Sequence, residues 1–367
     1  MEAPVDPGQI TVPSAAGVGA DCVASVIIVN YNGRQHLQEC IPSLLRDAHP
    51  DQEIIVVDNA SSDGSAEYVE RAFPGVRVIR NEANLGFGHG SNVGAGQSKG
   101  QYLAFLNQDT VVASGWLAAL IAAMEADSQV GLATSKILIL ADPERINTCG
   151  NQVHFTGLTL CRGMGMERTA LADVEEVGAV SGAAFAIRRD LFEALRGFDD
   201  AFFLYMEDTD LSWRARLAGY RCICVPSSVV LHDYVLRFGP NKTFYQERNR
   251  YLMLLKSLRW RTCLALLPAL LLAEVVTWGF VLLREPRRLA NKLRAYAWIL
   301  QNWGRVMQSR QRTQALRRAS DRELLAQCAW RLAFEQTDSG LVGRLAHAVF
   351  DPLCFLLYRL AIAVVRW

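Results

Sequence analysis

The chain has 367 residues, half of them hydrophobic, enough for one large domain or two ordinary ones. Its net charge of +1 hides a division: residues 241–367 carry 21 Lys+Arg against 8 Asp+Glu, a balance of +13, while residues 1–240 sum to −12. An acidic body with a basic tail implies an anionic partner for the tail, a membrane surface or a nucleic acid. Nine cysteines (22, 40, 149, 161, 222, 224, 263, 328 and 354) are scattered without a Cys-x-x-Cys pair. A zinc site or disulfide framework is therefore not expected, and a reducing compartment fits.

Residues 1–22, rich in Pro, Gly and Ala, lack the basic and apolar regions of a signal peptide and read as a disordered leader. Ser25–Val29 is then a continuous apolar, β-branched run that ends in Asn30-Tyr31-Asn32-Gly33. Glu53–Val57 repeats the form and ends in Asp58-Asn59-Ala60-Ser61-Ser62-Asp63-Gly64-Ser65. Val76–Ile79 and Tyr102–Leu106 are two further strands, the latter ending in Asn107-Gln108-Asp109, and helical stretches are expected at Leu37–Arg46, Ala66–Ala72 and Ser91–Ser98. Short, doubly buried strands alternating with helices predict an α/β fold with a mainly parallel sheet and helices on both faces. Ligands bind such sheets beyond the carboxyl ends of the strands, where three polar clusters converge here. Each cluster alone could be turn chemistry, with Ser62 or Asp63 capping a helix.

Asn84-Leu85-Gly86-Phe87-Gly88 opens a glycine-rich run after the third strand. A nicotinamide fingerprint belongs after the first strand, but glycines opening a helix still allow close approach to a diphosphate. Thr134–Val177 shows no readable pattern and is expected to carry part of the substrate choice. Next comes Phe202-Phe203-Leu204-Tyr205-Met206-Glu207-Asp208-Thr209-Asp210, with three carboxylates in four residues before a helix over Leu211–Ala218. Such close carboxylates repel unless a cation, an arginine or a proton intervenes.

In the tail, Thr262–Leu283 is apolar and long enough to span a bilayer, but Glu274 and Pro268 interrupt it and basic residues flank both ends. An in-plane or re-entrant membrane helix fits both flanks. Leu289, Leu293, Tyr296, Leu300, Trp303 and Met307 recur at helical spacing opposite Lys292, Arg294 and Arg305, an amphipathic face, and Val349–Trp367 is again apolar. Membrane contact is the expectation for residues 256–367; a helical subdomain packing on the catalytic body, with a homodimer interface, is the alternative. Nucleic acid would explain the charge but not the apolar runs.

Val-Ile-Ile-Val-Asn-Tyr-Asn-Gly, Val-Val-Asp-Asn-Ala-Ser-Ser-Asp-Gly-Ser, Asn-Leu-Gly-Phe-Gly and Leu-Asn-Gln-Asp-Thr together resemble the family 2 inverting glycosyltransferases, in particular the rhamnosyltransferase-like branch. The likeness runs from about Ser25 to Tyr251, through Gly178–Ala183, Glu207–Asp210 and Gln246-Glu247-Arg248-Asn249-Arg250. It implies a glycosyltransferase A-type (Rossmann-like) catalytic domain over 23–255. It further implies that Asn30, Asn32, Asp58, Asn59, Asp63, Asn84, Gly86, Asn107 and Asp109 bind the nucleoside diphosphate sugar. Asn107-Gln108-Asp109 stands where the family has Asp-x-Asp, so Asp109, with His232, would carry the protein's share of a Mg²⁺ or Mn²⁺ ion. Asp208 takes the place of the catalytic base. Glu207 would face the acceptor, Asp210 would cap the helix, and Arg248 and Arg250 would grip a diphosphate. Trp213 and Arg214 would line the acceptor wall, although Trp213 suits a core position equally well. The implied reaction moves a sugar such as L-rhamnose to a polyprenyl-diphosphate-linked saccharide at the cytoplasmic face of the membrane. The rival readings are a polyprenyl-phosphate sugar transferase and a non-catalytic nucleotide-sugar-binding scaffold.

Overall fold

The computed structural model describes residues 23–47, 52–234, 241–284, 286–336 and 340–367, so the expected leader lies outside the described residues. In chain order the strands are β1 (Ala24–Asn30), β2 (Gln52–Asp58), β3 (Arg77–Arg80), β4 (Tyr102–Asn107), β5 (Thr110–Val112), β6 (Val130–Ile139), β7 (Asp142–Thr148), β8 (Asn151–Val153), β9 (Thr159–Cys161), β10 (Glu175–Glu176), β11 (Ala184–Arg188) and β12 (Arg221–His232). The helices of the body are α1 (Arg34–Arg46), α2 (Ser65–Ala72), α3 (Gly86–Gly96), α4 (Trp116–Ala126), α5 (Arg189–Ala194) and α6 (Glu207–Leu217). Those that follow are α7 (Lys242–Ser257), α8 (Trp260–Ala265), α9 (Leu267–Arg284), α10 (Leu289–Gln301), α11 (Trp303–Ala315), α12 (Asp321–Ala326) and α13 (Leu341–Val364).

One mixed sheet runs β10-β12-β6-β11-β4-β1-β2-β3, with β5 and β7 joined to β12 and β6. The stretch β4-β1-β2-β3 is parallel, as expected, while β11 enters antiparallel between β4 and β6. Alternate residues of the apolar runs bury opposite faces. Val26, Ile28, Val56 and Leu106 join one core with α1 and α4, and Ile27, Ile55, Val57 and Phe105 join the other. In-register pairing of β1 with β2 and β4 brings Asn30, Asp58 and Asn107 to one rim.

Helix α3 begins at Gly86, five residues before the expected start at Ser91. Its glycines let it lie close on the sheet: a Cβ on Gly94 would come within 2.6 Å of Ile27 Cγ2 and 2.9 Å of Val57 Cγ2. Helix α6 begins at Glu207, so all three carboxylates fall in its first turn rather than before it. The apolar stretch from Thr262 divides between α8 and α9, with Pro268 near the start of α9, where it needs no intrahelical N–H partner.

A third core joins Phe202 and Trp213 to Leu252, Met253, Ile299 and Leu324, so the helices after α7 sit directly on the body. The expected apolar face is partly open, and Lys292, placed opposite it, is inside. Lys292, Ala295, Ile299 and Val306 are buried, whereas Leu293, Leu300 and Trp303 are exposed. The inward Lys292 is held by Glu247 at 3.3 Å and Glu274 at 3.1 Å, which offsets the cost of burying its ammonium.

Candidate functional site

The rim above β1 and β2 is a polar lattice in which Asn30 Oδ1 is left buried without a hydrogen-bond partner. Asn30 is buried, and its Nδ2 donates to Asp58 Oδ1 at 2.7 Å, Ser65 Oγ at 2.7 Å and Ser61 Oγ at 3.0 Å. Asp58 Oδ2 accepts from the Ser61 amide at 3.0 Å, and Asn32 Oδ1 from the Ser62 amide at 2.8 Å. Asp63 spans two helix starts, accepting from the Arg34 amide at 2.9 Å and the Ser65 amide at 3.0 Å. Burial pushes the Asp63 carboxyl upward, but these hydrogen bonds outweigh it and hold the group below its ordinary range. Buried Asn59 donates to the Gly86 carbonyl at 3.0 Å, and Asn84 Oδ1 accepts from the Gly86 amide at 2.9 Å. Gly86 has φ +79°, and a Cβ there would collide with the Phe203 carbonyl oxygen.

Beyond β4, Gln108 Oε1 accepts from the Tyr31 amide at 2.9 Å, tying this turn to the loop after β1. The Asp109 carboxylate lies beside the last residue of β12, with Oδ1 3.3 Å from His232 Nε2. Asp109 Oδ1 is buried and has no hydrogen-bond partner. His232 Nδ1 is 3.0 Å from Asn147 Oδ1, which fixes the proton on Nδ1 and points the Nε2 lone pair at Asp109. Two lone pairs facing each other at that distance need a proton or a metal cation between them. Burial raises the Asp109 carboxyl, but with a proton on Nε2 the hydrogen bond and charge of the imidazole outweigh it and take the group below its ordinary range.

The carboxylates of α6 differ sharply. Asp208 Oδ2 accepts from the Gly182 amide at 2.7 Å and Asn151 Nδ2 at 3.0 Å; Oδ1 accepts from the Thr209 amide at 2.6 Å and Thr209 Oγ1 at 3.2 Å. Glu207 is buried, and its Oε2 has no partner. Burial and the neighbouring Asp208 charge push the Glu207 carboxyl up to about 8. Burial also raises Asp208, against its four hydrogen bonds. Those donors favour the charged form of Asp208, while Glu207, with an unpartnered oxygen beside it, is the member of the pair that holds its proton more tightly. Just before them Tyr205 and Met206 both have φ +67°, and such non-glycine residues cost about 1–3 kcal/mol each.

Short links make these parts one site. Gly182 donates to Asp208, while its neighbour Ala183 accepts from the Asn107 amide at 3.0 Å. The Phe203 carbonyl accepts from the Phe87 amide at 3.1 Å, joining the glycine-rich loop to the turn before Glu207.

The sequence profile of the family described as Glycosyl transferase family 2 matches residues 25–196, and this span contains the rim and Asp109. Residues 25–196 are a family 2 glycosyltransferase domain. Among similar proteins is an N-acetylglucosaminyl-diphospho-decaprenol L-rhamnosyltransferase of Mycobacterium tuberculosis, 28% identical over 240 residues, covering 57% of this chain and 76% of that protein. A putative teichuronic acid biosynthesis glycosyltransferase of Bacillus subtilis, TuaG, is 32% identical over 90 residues, covering 24% of this chain and 36% of that one. Solved structures share the fold. GalNAc-T7 with UDP, GalNAc and Mn²⁺ aligns at TM-score 0.54 and 22% identity over 64% of this chain, which spans 47% of that one. S. aureus TarS 1–349 with UDP-GlcNAc aligns at 0.53 and 17% identity over 93% of this chain and 88% of that one. The chain is a glycosyltransferase with a glycosyltransferase A-type α/β fold.

Several residues expected at the glycosyltransferase site stand elsewhere. Asp210 does not cap α6; it is fully buried against Arg214 at 2.8 Å and Lys256 at 2.9 Å. Arg214 also donates to the carbonyls of Leu195 and Gly197, both at 2.8 Å, so it lines no acceptor wall. Trp213, at 1% exposure, is a core residue for the reason already apparent in the sequence, its large apolar ring. Arg250 is turned away from the rim, held by Glu247 at 2.9 Å and by Glu274. The Glu274 carboxylate thus pins α9 to α7. Arg248 lies 4.7 Å over the Trp298 ring and donates to the Ala201 carbonyl at 2.6 Å; burial lowers its guanidinium to about 10. Among the described residues of the tail, Arg248, Arg250, Lys256 and Lys292 are the basic side chains held inside the protein.

The sequence gives no warning of Asn147 and Asn151, both in the unreadable Thr134–Val177 segment, or of Thr209. Gly182 did carry a signal, since it stands in the Ser181-Gly182-Ala183 stretch of the resemblance; a Cβ there would come within 3.2 Å of Asp208 Oδ2. Among the described residues no group of three or more His, Cys, Asp or Glu side chains could hold a metal ion, so the protein's offer is the Asp109–His232 pair.

Proposed function

We propose that the protein is an inverting transferase that moves a sugar, L-rhamnose being the first candidate, from a nucleoside diphosphate to a lipid-diphosphate-linked saccharide. The observation that carries this reading is the Gly182–Ala183 link, which holds the Asp208 carboxyl group against the same backbone as the Asp109 motif. In the transfer, an acceptor hydroxyl oxygen bonds to the anomeric carbon as the bond from that carbon to the diphosphate oxygen breaks. The hydroxyl proton passes to Asp208, and the electron pair leaves with the nucleoside diphosphate. Asp208 is needed chiefly at the transition state, when oxocarbenium character makes the hydroxyl acidic. Protonated Glu207 beside it can donate a hydrogen bond to the acceptor. A divalent ion, Mn²⁺ or Mg²⁺, fits Asp109 and His232, because one offers an orphaned buried oxygen and the other an oriented lone pair. When bound, it would neutralise charge on the leaving diphosphate.

The similarity to a transferase named for a diphospho-decaprenol acceptor supports the lipid-linked class. So does the surface of the tail. Helix α13, with 24 residues, is long and apolar enough to cross a membrane and exposes Leu345, Val349, Leu353, Leu356 and Leu360. Leu271, Val275 and Leu282 of α9 are also exposed, and Arg261 lies 4.0 Å over the Trp367 ring, a pairing suited to an anionic interface. We place the enzyme on the cytoplasmic face of the membrane, with these helices in contact with lipid. Screening sugar nucleotides with membrane extracts or a synthetic lipid-diphosphate saccharide tests the reaction. Asp208→Asn should lower transfer by about 10²–10⁴-fold while nucleotide binding persists; robust transfer by that variant would remove Asp208 from its role. Co-flotation with anionic vesicles tests the location, and protein remaining in the soluble fraction would refute it.

A further inference from the structure

We propose that Asn249 is a positioning residue, holding the turn before α6 in the left-handed conformation that presents Glu207 and Asp208 to the site. Asn249 is fully buried on α7. Its Nδ2 donates to the Leu204 carbonyl at 3.0 Å and to the Tyr205 carbonyl at 2.7 Å. Those carbonyls bracket the entry into the two consecutive left-handed residues, Tyr205 and Met206. Nothing in the local sequence favours that conformation: neither residue is Gly, Asn or Asp, so the turn must be held from outside.

The brace is itself oriented. Arg248 Nε donates to Asn249 Oδ1 at 2.9 Å, which fixes the carboxamide with its nitrogen toward the turn, and the same guanidinium holds the Ala201 carbonyl at 2.6 Å. Aromatic rings of Phe244, Tyr245 and Trp298 surround that guanidinium at 4.7–5.3 Å. Tyr245 also stacks on Phe203, ring centroids 5.4 Å apart. From the opposite side the Phe87 amide holds the Phe203 carbonyl. The turn is therefore clamped between the glycine-rich loop and α7. The Arg-Asn pair of Gln246–Arg250 acts through peptide carbonyls instead of through a phosphate. Without the carboxamide, two carbonyls lose their donor and the turn can relax toward negative φ. Asp208 then shifts against Gly182 and Asn151.

The catalytic consequence rests on the reading of Asp208 as the base, but the brace can be tested without it. Hydrogen–deuterium exchange on the full chain, wild type against Asn249→Ala, should show faster exchange across residues 203–209 with the β1–β4 sheet unchanged. Steady-state transfer with the same proteins should show kcat lower by about 100-fold. The KM for the sugar nucleotide should stay put, as should calorimetric binding of a nucleoside diphosphate with Mn²⁺. Asn249→Ser, which keeps one donor in a smaller side chain, should recover part of the rate and serves if the alanine protein does not fold. Unchanged exchange at 203–209, or a fall in kcat matched by loss of nucleotide binding, would overturn the proposal. A wild type inactive on every sugar nucleotide would defeat the transferase reading, and the exchange comparison would still decide the brace.

Discussion

The donor rim and the first turn of α6 are both crowded with polar side chains, yet they handle them in opposite ways. At the rim, Asn30, Asp58, Asn32 and Asp63 engage one another and the backbone, and each carboxylate is matched by donors. At α6, Asp208 takes four hydrogen bonds while Glu207 beside it keeps a buried oxygen without one. At the rim the one buried oxygen without a partner is the neutral Asn30 Oδ1, whereas at the turn it belongs to a carboxyl group. Asp109 Oδ1 belongs with the turn, although it sits on the rim side. Of the carboxylate oxygens here without a hydrogen bond, Asp210 Oδ1 meets Lys256, which leaves Glu207 Oε2 and Asp109 Oδ1 as the ones open to a substrate or ion.

The largest effect that would sharpen this contrast falls on the Asp109–His232 pair. Asp109→Asn and His232→Ala should each weaken Mn²⁺-enhanced binding of a nucleoside diphosphate by about 10–100-fold or more, read by calorimetry. Metal-independent nucleotide binding should change little, because the rim lattice is untouched. Asn147→Leu, which releases the imidazole without removing it, should give a smaller loss of the same kind. Equal affinity with and without Mn²⁺ in the wild type would favour a binding scaffold over a metal-assisted transferase.

What could be read from the sequence follows the same divide. Runs such as Val26–Val29 and Ile54–Val57 announce buried parallel strands because every residue of a doubly covered strand must be apolar, and their polar ends therefore fall on one rim. The Glu207–Asp210 cluster was legible because three carboxylates in four residues are unusual, and the resemblance singled out Asp208 within it. Its partners were not: Asn151 arrives from β8, 57 residues away in sequence, and Gly182 from a loop. Arg248 and Arg250 misled because an arginine's chemistry is the same whether it meets a phosphate or, as here, a carbonyl or a buried glutamate. Asp210 misled similarly, since a first-turn aspartate suits a cap and only the tertiary fold brings Lys256 to it. Lys292 is buried although the sequence sets it on the polar side of the tail, because an ammonium with two carboxylate partners is stable where an unpaired one is not.

A middle-sized effect tests whether Glu207 is the unresolved group. A folded pKa of about 8, against an ordinary 4.5, means that the native protein holds this proton more tightly than the unfolded chain does. Its contribution to stability is therefore full below about pH 4.5 and is lost as pH rises through about 8. Asp208 and Asp210 on the same helix and Tyr205 before it are the charged or titratable neighbours that face this change. Glu207→Gln keeps the shape and removes the titration, so its stability should fall less between pH 5 and pH 9. At the upper end it should exceed the wild type by on the order of 1–3 kcal/mol in urea denaturation. Parallel pH profiles for the two proteins would show that Glu207 is ionised and satisfied, and the contrast with the rim would fail.

The smallest effect probes the rim itself. Asp63→Ala removes the acceptors for the Arg34 and Ser65 amides at the starts of α1 and α2. Loss of caps of this kind costs about 1–2 kcal/mol, so the midpoint of denaturation should drop by that equivalent. Because the Asn30–Asp58–Ser61 lattice survives the change, nucleotide affinity measured below the new midpoint should be retained. Affinity falling further than stability would assign the Asp63 carboxylate to the ligand directly. The rim would then share with α6 the property of holding charge in reserve, and a carboxylate satisfied in the absence of substrate would no longer identify scaffold.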